Sequence, residues 1–137
     1  MAHWTPSNHN HADEYIGSAL PFVTSSTAPN VAAPALPHHI VFPYVTRWVM
    51  IVNNGSGALR VGFSQNGTIS NGPNSGKDHF FRVPASSATE RLELKLKEIF
   101  VVGDGATPTY QVVAGYTNIP TKNFPTLTGS AGFEGVG

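Results

Sequence analysis

The sequence predicts an all-β protein: an antiparallel β-sandwich or barrel of six or more short strands, with extended N- and C-terminal arms. Three observations carry this. Short apolar or alternating runs recur between clusters of Gly, Pro, Asn and Ser. No stretch combines the length and the 3.6-residue period of a convincing helix. Both ends are rich in Pro, Thr and Gly.

The organising stretch is residues 46–67. Residues 48–52 (WVMIV) are apolar at every position, which predicts a strand covered on both faces. Leu59, Val61 and Phe63 then alternate with Arg60, Gly62 and Ser64, which predicts a strand with one wet face. Between them Asn53, Asn54, Gly55, Ser56 and Gly57 tolerate positive φ, so the two runs are expected to fold back as a hairpin.

Residues 1–37 read as an N-terminal arm. Pro6, Pro21, Pro29, Pro34 and Pro37 exclude a long helix. Only residues 19–24 look strand-like, with Leu20 and Phe22 on one side. Such a segment is either a flexible tail or an arm that orders against a neighbour or wraps its own domain. The sandwich is placed at residues 38–119. Residues 38–44 form a short extended run broken by Pro43, expected at an edge or at a corner where a strand changes sheet. Residues 66–76 hold one aliphatic side chain and read as a long surface loop.

Residues 79–85 predict a strand with Phe81 and Val83 inward and Arg82 outward. In residues 89–97 Leu92, Leu94 and Leu96 alternate with Arg91, Glu93, Lys95 and Lys97. Leu, Glu and Lys favour helix, but leucines at i, i+2 and i+4 would scatter around one, so a strand is predicted. At Glu98 the parity breaks and residues 99–102 are apolar throughout, as at a bulge or a passage into a more buried part of a sheet. After a turn at 103–108, residues 109–118 close the sandwich with Tyr110, Val112, Ala114 and Tyr116 on one face. Residues 120–137 form a C-terminal tail with Phe124, Leu127 and Phe133 as isolated anchors. The expected core includes Trp48, Met50, Val61, Phe63, Leu92, Leu94, Val112 and Ala114.

Composition bounds the function. A chain of 137 residues makes one domain able to bury most of its apolar surface. Charged residues are only 12%, about half the usual share, which suits a surface largely covered by neighbours. Lys+Arg and Asp+Glu are 8 each, so there is no basic footprint for nucleic acid. A net charge of zero also does little to keep copies apart. Without cysteine, neither disulfides nor thiolate metal sites hold the fold. The first residues lack a basic start followed by an apolar run, and no apolar stretch approaches the roughly twenty residues of a membrane helix. The chain is therefore expected to be soluble and not secreted by a signal of its own.

No constellation for chemistry stands out. His3, His9, His11, His38, His39 and His79 invite a zinc site, but zinc wants three or four ligands on a stiff frame and most of these lie in an arm. The eight carboxylates are scattered among turns and a charged strand face, so no acid–base pair is singled out and no enzyme is expected. No Gly-rich loop joins a strand to a helix, so no phosphate cradle is expected. Asn54-Gly55-Ser56 and Asn66-Gly67-Thr68 match the N-glycosylation pattern in predicted turns; without a signal peptide the match is expected to be accidental. Tyr44, Trp48, Tyr110 and Tyr116 could form an aromatic platform for a sugar, but on alternating strands they are expected in the core.

From residue 45 to about 120 the chain resembles the penton (vertex) proteins of large icosahedral double-stranded DNA viruses. The runs that carry the resemblance are VTRWVMIVNN, LRVGFSQNG, FFRVPA, LELKLKEIFV and YQVVAGYTNIP. The resemblance implies a single jelly roll, a homopentamer closing a fivefold vertex, and contacts to the major capsid protein and to minor capsid proteins. It implies a virion protein made in the host cytoplasm, and offers neither catalytic residues nor a cofactor. On that reading Trp4, Tyr15, Phe22, Phe124 and Phe133, spaced along the arms, would each fill a pocket on an adjoining subunit. The alternative is a receptor- or carbohydrate-binding β-sandwich of a virus or phage.

Overall fold

The computed structural model describes residues 20–32, 36–69, 78–124 and 136. They form an all-β sandwich of two four-stranded antiparallel sheets. In chain order the elements are β1 (Pro21–Thr27), β2 (His38–Val41), β3 (Tyr44–Asn53), β4 (Leu59–Gly62), a short helix α1 (Gln65–Ile69), β5 (Phe80–Val83), β6 (Ser87–Ala88), β7 (Glu98–Gly103) and β8 (Thr109–Pro120). The first sheet has the order β1-β8-β3-β6 and the second β2-β7-β4-β5. The pairs β1–β8, β2–β7, β3–β6 and β4–β5 therefore nest one inside the next.

The expected hairpin at 46–67 does not form. β3 lies in the first sheet and β4 in the second, so the chain crosses the sandwich between them. Sheets pack about 10 Å apart, a gap that the five residues 54–58 span easily. Asn53 decides the crossing. It is 1% exposed, its Nδ2 donates to Gly57 O at 2.8 Å and to Val83 O on β5 at 3.0 Å, and its Oδ1 accepts from Gly55 N at 2.9 Å. The turn-forming residue ties the end of β3 to the facing sheet. Replacing Asn53 by Ala leaves three buried backbone groups without that partner and should cost about 1–3 kcal/mol in denaturant unfolding.

β1 extends the strand-like run expected at 19–24 and follows the reading in which the arm wraps its own domain. Its seven residues register with β8 from Pro21↔Gly115 to Thr27↔Thr109, so this part of residues 1–37 is an edge strand of the sandwich. Phe22 lies on its inner face, 5.2 Å from the Phe42 ring in an edge-on contact and 5.8 Å from Tyr116. At the corner Phe42–Pro43 the chain leaves the second sheet for the first, as the proline suggested.

In β3 the inward residues are Val49, Ile51 and Asn53, all 1% exposed or less. Trp48, Met50 and Val52 are half-buried on the outer face, the opposite of the expected parity for Trp48 and Met50. An all-apolar run does not announce which alternate set points inward, and register shifts at Tyr44, Thr46 and Trp48 reset the phase.

The leucine-rich segment 89–97 is not a regular strand. It runs beside β3 with one bridge, Val49↔Leu92. The Thr46 hydroxyl breaks the ladder: Oγ1 donates to Leu94 O at 2.7 Å and accepts from Leu96 N at 2.9 Å. The alternation still reports the faces. Leu96 is buried, Leu92 and Leu94 pack on the core, and Arg91 and Glu93 are exposed. The parity break at Glu98 marks the passage from the flank of the first sheet into β7, central in the second.

The core joins both sheets through Ile40, Phe42, Val49, Ile51, Leu59, Val61, Ile99, Val101, Tyr110, Val112 and Ala114, with Phe63 and Phe81 packed against it. Tyr116 is 4% exposed, and its hydroxyl has no hydrogen-bond partner among the described residues. Burial pushes the Tyr116 hydroxyl up to about 12 and also raises Tyr110. Below the ordinary tyrosine value of about 10 folded and unfolded chains both hold these protons. Above it the unfolded chain ionises first, so stability should fall as pH rises from about 10 to about 12. Tyr116→Phe removes the unpaired hydroxyl, so it should leave stability at pH 7 unchanged or higher and flatten the alkaline loss.

Candidate assembly surface

Three parts of the surface were candidates for function: the outer face of each sheet and the loop end nearest β3. The outer face of the first sheet is built by register. Pro21, Gly115 and Trp48 form one cross-strand row; Val23, Val113 and Met50 form the next; Ser25, Gln111 and Val52 form a third. Two adjacent rows are thus apolar across three strands. Val23 is 68% exposed, and Trp48, Met50 and Val113 are half-buried. The Arg91 guanidinium lies over Trp48, 6.0 Å from the ring centroid. A contiguous apolar face of this kind marks an interaction surface more often than isolated leucines do.

On the outer face of the second sheet the charged groups satisfy one another. Arg60 on β4 and Arg82 on β5 face each other in register, and both guanidiniums stack over Phe80, at 4.3 and 4.9 Å. Like charges opposite one another repel; Asp104, from the turn after β7, offsets this. Its Oδ1 accepts from Arg60 Nε at 2.9 Å, and its Oδ2 from Arg82 Nε at 2.7 Å. The Arg82 guanidinium, chiefly, holds the Asp104 carboxyl below its ordinary range, and Arg82 is raised in return. A depressed carboxylate stabilises the fold above its unfolded value and loses that contribution as pH falls through the folded one. Asp104→Asn should therefore flatten the acid limb of the stability profile below about pH 4, measured by denaturation at graded pH. At pH 7 the cost should be only about 1 kcal/mol, since solvent screens the pair.

Residues 66–69, expected in a loop, belong to α1, which covers one end of this sheet. The Thr68 hydroxyl donates to Ser64 O at 2.6 Å, and Gly62 gives Thr68 the room it needs. Val136 returns to the same place: it is buried, and its carbonyl accepts from Ser64 Oγ at 2.6 Å. Gly67 faces that carbonyl so closely that a Cβ would displace it. Residue 136 of the expected C-terminal tail therefore packs on its own domain.

Among the described residues His38 and His39 point to opposite faces of β2. His38 Nδ1 lies 2.8 Å from the Tyr110 hydroxyl. His39, on the other face of β2, stacks on Phe100 at 4.4 Å and sits 3.5 Å from Glu98. Among the described residues no group of three metal-ligating side chains occurs. The two glycosylation patterns also separate. Asn54 is exposed in the crossing loop, whereas Asn66 sits on α1 with Thr68 fully buried. At the loop end a shallow groove is lined by Asn30, Gly55, Ser56, Gly57 and residues 106–109.

Of the five expected anchors, Phe22 serves its own core and Phe124 is half-buried just after a 3₁₀ turn (Thr121–Asn123), its N–H donating to Thr121 O at 3.0 Å. Trp4, Tyr15 and Phe133 lie outside the described residues. Sequence reasoning missed the Arg60–Asp104–Arg82 clamp. Its only signal was two outward arginines on strands not yet known to be neighbours. No helix among the described residues is long and apolar enough to cross a membrane.

No family model matches the chain, and no curated protein matches it. The crystal structure of PirA aligns with 70% of this chain and 84% of its own at 17% identity, with a TM-score of 0.28. A likeness that weak carries no argument about fold or function.

Proposed function

We propose that this chain is a structural shell subunit, a single jelly roll that assembles in fives as the penton at the vertices of an icosahedral double-stranded DNA virus. The observation that carries the reading is the strand order. β1-β8-β3-β6 facing β2-β7-β4-β5, with nested pairs β1–β8 to β4–β5, is the order that one long hairpin rolled across two sheets would have, and it supports the jelly-roll reading. Jelly rolls occur in viral capsid and lectin domains. Fold alone does not assign function, and the surface adds support: few charges and two apolar rows on the first sheet.

On this reading the chain is not an enzyme and needs no cofactor. Its partners are four further copies, the major capsid protein and minor capsid proteins, and its place is the virion. A closed ring uses head-to-tail contacts, one side of each copy against a different side of the next. The rival reading, a receptor- or carbohydrate-binding module, draws on the groove at Asn30, Ser56, Thr107 and Thr109, whose side chains carry hydroxyls and an amide. Native mass measurement separates the two. A penton subunit should assemble in multiples of five, alone or with capsid protein. A monomer or trimer that is retained on a glycan array would overturn the penton reading.

A further inference from the structure

We infer that the free edge of β1 is a self-pairing surface on which a second copy of this chain adds its own β1, antiparallel, about a twofold axis at Ser25. The backbone fixes which groups are available. Tyr116 N–H donates to Leu20 O, and Ala28 N–H donates to Pro108 O, both at 2.8 Å. In an antiparallel ladder each residue turns both of its groups to the same side, and the side alternates. Residues 20, 22, 24, 26 and 28 therefore bond to β8. Val23, Ser25 and Thr27 turn N–H and C=O away from it, and among the described residues β1 has no other strand neighbour. Pro21, which has no N–H to offer, falls on that same outward set, the one place a sheet tolerates proline.

Among the described residues nothing on this edge blocks a partner. Sheet edges are ordinarily guarded by charge, by bulges or by shortness. β1 runs unbroken for seven residues, and no charged residue or histidine occurs from position 15 to 37. The other edge of the first sheet is guarded: β6 has two residues, and the segment after it is irregular and carries Arg91, Glu93 and Lys95. Among the described residues, the exposed large aliphatic side chains, Leu20, Val23, Leu36 and Val41, lie on or beside β1 and β2. Those two strands are the edges of the two sheets on one flank, joined there by the Phe22–Phe42 contact.

The second copy fits because the edge is its own complement. With the axis at Ser25, Val23 meets Thr27 of the second copy, Ser25 meets Ser25, and Thr27 meets Val23. Each outward N–H then finds a carbonyl, three from each copy. Uncharged faces uncharged, and β-branched Val and Thr sit in cross-strand pairs that favour strands. The two first sheets become one continuous eight-stranded sheet. A self-complementary contact cannot be the head-to-tail contact of a ring, so this pairing is independent of the proposed vertex role and is tested on the isolated full chain.

The chain has no cysteine, so Ser25→Cys introduces a single thiol. Paired Cα atoms in a bonded antiparallel position lie about 5.5 Å apart, within disulfide reach. Mild oxidation should give a disulfide-linked dimer from Ser25→Cys and none from Ser26→Cys, whose backbone faces β8. Wild-type protein should sediment with an even number of copies, as a dimer or as two rings of five. Ser25→Pro, which removes one outward N–H as Pro21 already does, should sediment at half that size with an unchanged far-ultraviolet spectrum. Wild-type protein that is monomeric at every concentration would overturn the inference. So would pentamers without Ser25 cross-linking, or equal cross-linking at positions 25 and 26. If Ser25→Pro fails to fold, the cross-linking pair still decides.

Discussion

Deleting residues 1–27 should unfold the domain, whereas deleting residues 1–19 should leave it folded. The longer deletion removes all of β1, exposing the edge of β8 along the register from Gly115 to Thr109. It also takes Phe22 away from Phe42 and Tyr116, and half-buried as Phe22 is, truncating that ring alone should cost about 3 kcal/mol. Against a typical total of about 5–15 kcal/mol, losing the strand and the ring together exhausts most of the margin. The shorter deletion leaves intact every contact described above. Far-ultraviolet circular dichroism and urea midpoints of the two truncations check this. Equal stability of both would mean that β1 is dispensable and that the arm begins where composition suggested.

Leu59→Ala should lower stability by about 2–5 kcal/mol, and Leu94→Ala by clearly less. Leu59 is fully buried on the centre-facing side of β4, between Val83 and Gly103 in register. The space around it cannot collapse readily. On one side of it Gly103 faces the Ala106 carbonyl so closely that even a Cβ would not fit, which marks tight packing there. Leu94 lies in the irregular segment beside β3, half-buried, where water can fill what the side chain leaves. Sequence pattern alone ranks Leu94 highest, because its alternation is the most regular in the chain. Denaturant titration of both variants should reverse that ranking.

That reversal shows what local pattern can and cannot carry. Alternation reports which side chains share a face, since successive residues in any extended backbone point to opposite sides. Hence Phe81 and Val83, the set from Tyr110 to Ala114, and the inward leucines at 92–96 were legible from residue order. So was the corner at Pro43, because proline cannot donate to a ladder. The apolar rows of the first sheet were not legible, because they depend on three strands brought side by side from positions near 22, 49 and 114.

The sequence by itself determined an all-β chain, the positions of most strands, the inward faces of those that alternate, and a surface poor in charge. Tertiary structure alone decided which strands pair and which sheet each one joins. Asn53-Asn54-Gly55 is compatible with a hairpin or with a crossing. The choice fell to the Asn53 side chain bonding to Val83 on the opposite sheet, a partner 30 residues away. β1 reads as an arm because its polar residues carry little apolar signal. It becomes a strand because β8 offers a long ladder and Phe22 a place against Phe42. The phase of β3 was undecided for the same reason: with every position apolar, only the residues packed against it from the second sheet could choose Val49 and Ile51 over Trp48 and Met50. Strand propensity is a property of neighbours in sequence, whereas pairing and sheet membership are set by burial and hydrogen bonds between residues far apart in the chain.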